Sequence, residues 1–210
     1  MKQMTLLLSV LALSFNVFAA DAKKADKKAA AATTAETYKV DTAASIIEWK
    51  GKKVAYGHNG TLKVQAGEFQ VEKNMIKSGN VVADMKSIAN VDIKEEKDNK
   101  KLVGHLSSPD FFNVEKYPTS EFKLTSVTAG KGKDEVVIKG DFTMIGQTHP
   151  IEFPATVKFE NGTATGQGSL KIDRTKWGLK YNSGNFFKDL AADKIINNDI
   201  ELTLKIVAKK

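Results

Sequence analysis

From Tyr38 to the C-terminus, apolar and polar residues alternate with a period of two. In the stretch VVIKGDFTM, Val136, Ile138, Gly140, Phe142 and Met144 share one face, and Lys139, Asp141 and Thr143 share the other. IEFPATVKF repeats the pattern with Ile151, Phe153, Ala155, Val157 and Phe159, and DIELTLKIVA repeats it with Ile200, Leu202, Leu204 and Ile206. Successive side chains of a strand point to opposite faces, so the alternation predicts antiparallel strands with one buried and one wet face. Eight strands are expected, at roughly 45–53, 60–71, 75–86, 120–128, 134–144, 147–159, 163–174 and 198–208. Asn161-Gly162 is a strong two-residue hairpin signal, because both central residues of such a turn take positive φ. Ile145-Gly146 and Asn59-Gly60 read as two further tight turns.

Two stretches break the alternation. Within 92–118, EEKDNKKLVGHL predicts a short helix, with Asp98 as its N-cap and Leu102, Val103 and Leu106 on one face. The other, 175–197, is a long connection holding Trp177, Tyr181, Phe186 and Phe187. Connections of that length are usually functional or covering. Tight hairpins between strands with one apolar face favour closure, which leaves no exposed sheet edge. The expected fold is all-β: an eight-stranded antiparallel barrel with a short helix and an aromatic loop at its mouth.

The strand TATGQGSLKID bears on what the barrel contains. Its inward set is Ala164, Gly166, Gly168, Leu170 and Ile172, three of which carry at most a methyl group. Side chains just fill an eight-stranded barrel, and small ones leave room for one small ligand. This face therefore either opens a cavity or admits a bulky neighbour such as Trp49. A cavity walled by Val136, Ile138, Phe142, Ile151, Phe153, Leu202 and Leu204 has almost no polar group and suits an apolar chain. The segment HLSSPDFFNVEKYPTSEF fits neither helix nor strand throughout. Its paired rings, Phe111 and Phe112, are expected to cover the cavity mouth or to form a satellite core beneath a loop.

Composition changes the picture mainly at the N-terminus. Residues 1–19 carry Lys2, an apolar run and small residues at Ala19 and Ala20, the pattern of a cleaved signal peptide. Residues 20–37 are rich in alanine and lysine without apolar periodicity, which reads as a flexible spacer ahead of a domain over 38–210. A periplasmic or secreted location is expected. With no cysteine, disulfides, thiolate catalysis and a lipoprotein anchor are excluded. The formal charge is +7, and 31 of the 32 basic residues are lysine. Scattered lysine without arginine forks reads as a solvated surface and argues against nucleic acid as a partner. It leaves room for transient contact with an anionic membrane surface.

Candidate chemistry is sparse. His58, His105 and His149 lie far apart with no metal-ligand spacing, so no metal is expected, and His105 is read as capping or ordering the lid. No Gly-x-Ser-x-Gly elbow is present, and no catalytic residue or cofactor is expected. Arg174, the single arginine, either meets a ligand head group or is structural, its guanidinium laid over an aromatic such as Trp177 at one barrel end. The structural role is favoured. Lysines 176, 180 and 188 lie among the aromatics of the second connection, on a face read as solvated.

Four segments, YKVDTAASIIEWKGK, HLSSPDFFNVEKYPTSEFKLTSV, GDFTMIGQTHPIEFP and IDRTKWGL, together resemble the YceI family of exported, lipocalin-like proteins that bind polyisoprenoids. The resemblance covers Tyr38 to Lys210 and implies an eight-stranded lipocalin-like barrel with a helix near its mouth. It implies long isoprenoid ligands, such as quinone or polyprenyl-phosphate tails, and no shared catalytic residues. The expected function is sequestration or transport of such a chain. Expected cavity and mouth residues are Trp49, Phe111, Phe112, Phe122, Val136, Ile138, Phe142, Phe153, Gly166, Gly168, Arg174, Trp177, Phe186, Leu202 and Leu204. Two rivals make different demands. An enzyme acting on a small hydrophobic substrate needs one histidine in the cavity beside an acid. A module binding protein through its outer face needs a filled interior and an exposed apolar patch.

Overall fold

The computed structural model describes residues 35–210. The expected signal peptide and most of the expected spacer lie outside the described residues. The elements in chain order are β1 (Glu36–Val40), β2 (Ile46–Lys53), β3 (Gly57–Glu72), β4 (Met75–Asn90), α1 (Glu96–Ser107), β5 (Thr119–Ala129), β6 (Glu135–Met144), β7 (Gln147–Glu160), β8 (Thr163–Asp173) and β9 (Ile196–Lys209). Short 3-10 turns at Arg174–Trp177 and Ala192–Lys194 lie between β8 and β9.

Each strand pairs antiparallel with its neighbours, in the cyclic order β2-β9-β8-β7-β6-β5-β4-β3 and back to β2. The result is a closed eight-stave barrel, as the alternation and turn spacing predict. All eight expected strands are present, within about four residues at each end.

β1 is the ninth strand, and it shares a stave with β2. Residues 36–39 pair with 68–71 of β3, while 46–52 pair with 57–63 of the same strand. Both segments also pair with β9. The break at 41–45 is patched by side chains. Asp41 accepts from the amides of Ala43 and Ala44, at 3.1 Å each. The Ser45 hydroxyl accepts from Val207 N at 2.9 Å and donates to Val207 O at 3.3 Å, replacing a missing ladder contact. The barrel thus begins two residues before Tyr38.

The hairpin turns follow the sequence with one exception. Asn161-Gly162 has φ of 48° and 75°, and Ile145-Gly146 has 51° and 70°, as a two-residue turn requires. Asn59-Gly60 is not a turn; both residues lie inside β3. The glycine is needed there because β4 comes close. A Cβ on Gly60 would collide with the carbonyl oxygen of Ala89 and stand 2.6 Å from the Trp49 ring. The β2–β3 turn falls at 54–56 instead, closed by Lys53 N donating to Tyr56 O at 2.6 Å.

The helix forms where expected, but Glu95, not Asp98, is its N-cap, and its side chain makes no capping bond. Asp98 lies in the first turn, where its charge suits the helix dipole. The helix start is tied down by Asn99, whose side-chain amide donates to Asn90 O and Ile93 O at 3.0 Å each. Val103 and Leu106, half-buried, rest on Leu62, Met85, Ile88 and Val114.

Candidate functional site

The interior of the barrel is hollow. A cavity of about 470 Å³ runs from the loops beside α1 to the far end of the staves. This answers the ambiguity of strand β8, because Gly166 and Gly168 both face the void. Trp49 joins the wall instead of filling the centre. The filled interior required of an outer-face binding module is absent.

The far end is closed by side chains. Tyr38, Val71, Ala164 and Ala208 form a buried cluster, and the Tyr38 ring meets Phe159 edge-on with centroids 5.9 Å apart. The wall between the ends is aliphatic and aromatic, and among the described residues no aspartate or glutamate lines it. Its charged residues, Lys52, Lys53 and Arg174, stand near the mouth with the two histidines His58 and His105.

Twelve of the fifteen expected residues line this cavity: Trp49, Phe111, Phe112, Phe122, Ile138, Phe142, Phe153, Gly166, Gly168, Arg174, Leu202 and Leu204. Three do not. Val136 is half-buried but outside the lining, because alternation assigns a face and says nothing of where along the axis the void ends. Trp177 is 2% exposed and packs with Met144, Ile172 and Leu179. Its Nε1 donates to Phe142 O at 3.0 Å, and its ring meets His149 edge-on, so it buttresses the barrel end from behind the wall. Phe186 is 49% exposed and faces away, with Lys180 Nζ 4.8 Å from its ring centre.

Arg174 lines the cavity, yet each of its three guanidinium nitrogens already donates to the protein's own backbone. The residue is 2% exposed, and its guanidinium donates to three backbone carbonyls, Leu179 at 2.5 Å, Ile196 at 3.0 Å and Asn197 at 3.0 Å. It clasps the two ends of the 178–195 connection to the end of β8. Burial pushes its pKa down, and neighbouring Asp173 opposes this. The structural role holds, but by carbonyl clamping; the expected stacking on Trp177 is not the means.

The mouth is covered by an aromatic cluster. Phe111 lies 5.1 Å from the Tyr181 ring and 4.9 Å edge-on from His105, and His105 lies 4.8 Å from Tyr181. Helix, paired-phenylalanine loop and second connection therefore meet at three rings. The loop folds back on the helix end through Phe112 N to Leu106 O and Val114 N to Ser107 O, both 3.0 Å. Phe112 touches two core clusters, so covering the mouth and packing beneath a loop are one role.

The alternation did not reveal His58, which the mistaken Asn59-Gly60 turn had hidden. Its Nδ1 stands 2.8 Å from Asp92 Oδ2. Asp92 also accepts from Asn59 N at 2.8 Å and Asn90 Nδ2 at 2.6 Å. Burial pushes the Asp92 carboxyl up, but the hydrogen bonds from Asn59, His58 and Asn90 together outweigh it and hold its pKa below the ordinary value. His105 has a looser acid neighbour, with Nε2 at 3.3 Å from Asp110 Oδ2. A histidine in the cavity beside an acid is the arrangement the enzyme alternative demands. Among the described residues, neither histidine is bonded to a hydroxyl nucleophile, and no group of three or more His, Cys, Asp or Glu gathers as a metal site.

A family model for the YceI-like domain matches residues 38–208. A UPF0312 protein of Pseudomonas putida strain F1 is 31% identical over 129 residues, covering 60% of this chain and 64% of that protein. A UPF0312 protein of Vibrio cholerae is 32% identical over 123 residues, covering 57% and 62%. The chain spans less than two thirds of the length of these curated relatives. Among solved structures, BcnA of Burkholderia cenocepacia superposes with a TM-score of 0.65 at 21% identity, over 81% of this chain and 99% of BcnA. A polyisoprenoid binding domain from Saccharophagus degradans, implicated in plant cell wall breakdown, superposes with a TM-score of 0.57 at 14% identity, over 82% and 97%. At these identities the superpositions establish the shared fold.

Proposed function

The chain belongs to the YceI-like domain family, and from that premise we propose that it sequesters one long apolar chain, an isoprenoid, inside its barrel and carries it through an exported compartment. The observation that carries this reading is the cavity of about 470 Å³, closed at one end by Tyr38 and lined, among the described residues, by no carboxylate. The volume falls in the range of about 300–1,000 Å³ typical of single small-molecule sites. Binding is driven by burial. Each methylene leaving water contributes ~0.8 kcal/mol. A chain of about twenty carbons therefore gains, in gross terms, more than the roughly 4–15 kcal/mol that association costs. The solved Saccharophagus degradans domain, described as polyisoprenoid-binding, supports the choice of an isoprenoid over other apolar chains. The apolar leader-like run at residues 1–19 supports export.

Mass spectrometry of organic extracts from the purified protein tests the reading, alongside uptake of phytane, a headless isoprenoid. A co-purifying lipid or saturable uptake of phytane is expected. Repeated preparations that carry no lipid and take up no isoprenoid overturn it.

A further inference from the structure

Seven large apolar side chains are exposed among the described residues, and four of them, Val54, Tyr56, Phe186 and Phe187, stand in two segments at the mouth. Single exposed apolar residues are ordinary, whereas several gathered at one end mark an interaction surface. The sheet register puts the two segments side by side. Lys53, the last residue of β2, pairs with Ile196, the first of β9, so the 54–56 turn stands where the 178–195 connection joins the barrel. The paired phenylalanines of that connection are held in a fixed turn. Their amides donate to Ser183 O at 3.0 and 2.9 Å. Ser183 is fully buried, and its hydroxyl donates to Asn198 Oδ1 on β9 at 2.7 Å. The fold thus presents both rings to solvent on an anchored support.

The charge around these rings is mostly of one sign. Residues 50–57 and 175–195 hold seven lysines and two aspartates. Lys52 is spent on Glu201 at 2.8 Å, and Lys194 on Asp193 at 3.2 Å. Lys53, Lys180 and Lys188 make no ion pair among the described residues. Two of them lie beside exposed rings, Lys53 Nζ at 5.3 Å from the Tyr56 centroid and Lys180 Nζ at 4.8 Å from that of Phe186. The acidic first turn of α1, with Glu96 and Asp98, belongs to neither segment. A ring with an ammonium beside it suits a lipid–water boundary, where aromatic rings sit at head-group level and lysine stems reach past them to the phosphates. Protein interfaces favour arginine and shed lysine, and the one arginine of this chain is buried. The rim therefore matches an anionic bilayer better than an acidic protein.

We propose that the 54–56 turn and the Phe186-Phe187 turn form a docking face that seats the barrel mouth on an anionic lipid bilayer. The rings enter the head-group layer, and Lys53, Lys180 and Lys188 meet the lipid phosphates. This face stands on its own exposed residues and does not rest on the chain-sequestration reading. For a sequestered chain it supplies a route between bilayer and barrel that avoids bulk water.

The test is co-sedimentation of the full chain with vesicles of phosphatidylcholine, with and without phosphatidylglycerol, at low and high salt. Phytane uptake in solution is measured on every variant. Wild type is expected to bind the phosphatidylglycerol vesicles about tenfold or more tightly than the neutral ones, an advantage that fades with salt. The double variant Phe186→Ser, Phe187→Ser and the double variant Lys180→Glu, Lys188→Glu are each expected to lose about tenfold on the anionic vesicles while taking up phytane as wild type does. Met75→Ser, an exposed apolar residue in the β3–β4 turn, is expected to bind as wild type. A wild type that ignores anionic vesicles, or binds neutral ones equally well, overturns the docking face and leaves the cavity reading standing. Double variants that bind as wild type place the contact elsewhere in the chain and also overturn it. Self-association without vesicle binding, abolished by Phe186→Ser with Phe187→Ser, gives the face to a second copy of the chain and overturns it too. Vesicle binding with the expected losses supports the face even where wild type takes up no phytane, a result that removes the cavity reading alone.

Discussion

Gly168 lies against the ring of Phe153. A Cβ added to the glycine would meet Phe153 Cε2 at 3.1 Å. Two residues away on the same face, Gly166 meets nothing nearer than Ile206 O at 3.9 Å. One glycine admits a neighbouring ring, and the other borders open space. Gly166→Leu is therefore predicted to fill the cavity without strain. The melting temperature should stay within about 5 °C of wild type or rise, since glycine weakens a strand interior. Phytane uptake should be lost. A folded variant that still binds phytane would show that the chain occupies some other part of the protein.

Gly60 is predicted to behave differently. A side chain there strikes the Ala89 carbonyl and the Trp49 ring at once, and neither backbone nor indole has room to retreat. Gly60→Ala should cost about 3 kcal/mol or more in urea unfolding, at the upper end of overpacking effects. A loss under ~1 kcal/mol would mean that β3 and β4 separate there easily.

Arg174 provides a test of structure against binding. Lysine carries one ammonium and cannot reach the carbonyls of Leu179, Ile196 and Asn197 together. Arg174→Lys leaves two carbonyls unpaired, which predicts a loss of about 2–4 kcal/mol. Phytane affinity, measured well below the melting transition, should be unchanged. Intact stability with lost binding would return Arg174 to the ligand.

The acid limb of stability follows from two aspartates. Asp41 has its pKa lowered, chiefly by the hydrogen bond from Lys209 and then by the Ala44 amide. Asp92 is lowered by its hydrogen bonds despite burial. For carboxyls whose folded pKa is depressed, the unfolded chain binds more protons in acid. Their contribution is complete above the unfolded value, near pH 4, and fades as pH falls through the lower folded values. Urea midpoints should decline below about pH 4, and Asp92→Asn should flatten that decline while lowering the neutral-pH plateau. An unchanged slope in the variant would remove Asp92 from the account.

Most of this fold was legible because a period of two fixes which side of a stave each residue takes, and Asn161-Gly162 and Ile145-Gly146 mark two of the reversals, whereas Asn59-Gly60, with the same signal, lies inside β3. β1 escaped because TYKV is too short to show a period, and 41–45 interrupts the stave it shares with β2. The Lys73-Asn74 turn, with φ of 51° and 58°, carries no glycine, and it was the end of one alternating run and the start of the next, at 60–71 and 75–86, that placed it. Within the site, inward residues such as Phe122, Phe142 and Leu202 were readable from alternation. Trp177 and Phe186 were not, because a residue in an irregular connection has no periodicity to aim it. His58 needed its partner to be seen, and Asp92 stands 34 residues further along the chain. No local pattern encodes a contact of that separation.

The three-ring contact of His105, Phe111 and Tyr181 predicts that the paired-phenylalanine loop acts as a gate as well as a cover. On this prediction a ligand leaving by the mouth parts rings supplied by α1, by the 108–118 loop and by the 178–195 connection. Those rings touch one another at 4.8–5.1 Å, so their separation is an opening cost borne by the exit step. Each aromatic contact of this kind contributes about 0.5–1.5 kcal/mol beyond area burial. Phe111→Ala removes two of the three, predicting release faster by about tenfold. Association should quicken as well, so the equilibrium affinity for phytane should change less than either rate. Phe111→Leu restores apolar volume without the ring contacts and should recover stability but not slow release. Stopped-flow displacement of bound N-phenyl-1-naphthylamine by excess phytane reads the rate directly. Release from Phe111→Ala at the wild-type rate would mean that the ligand leaves without moving this cluster.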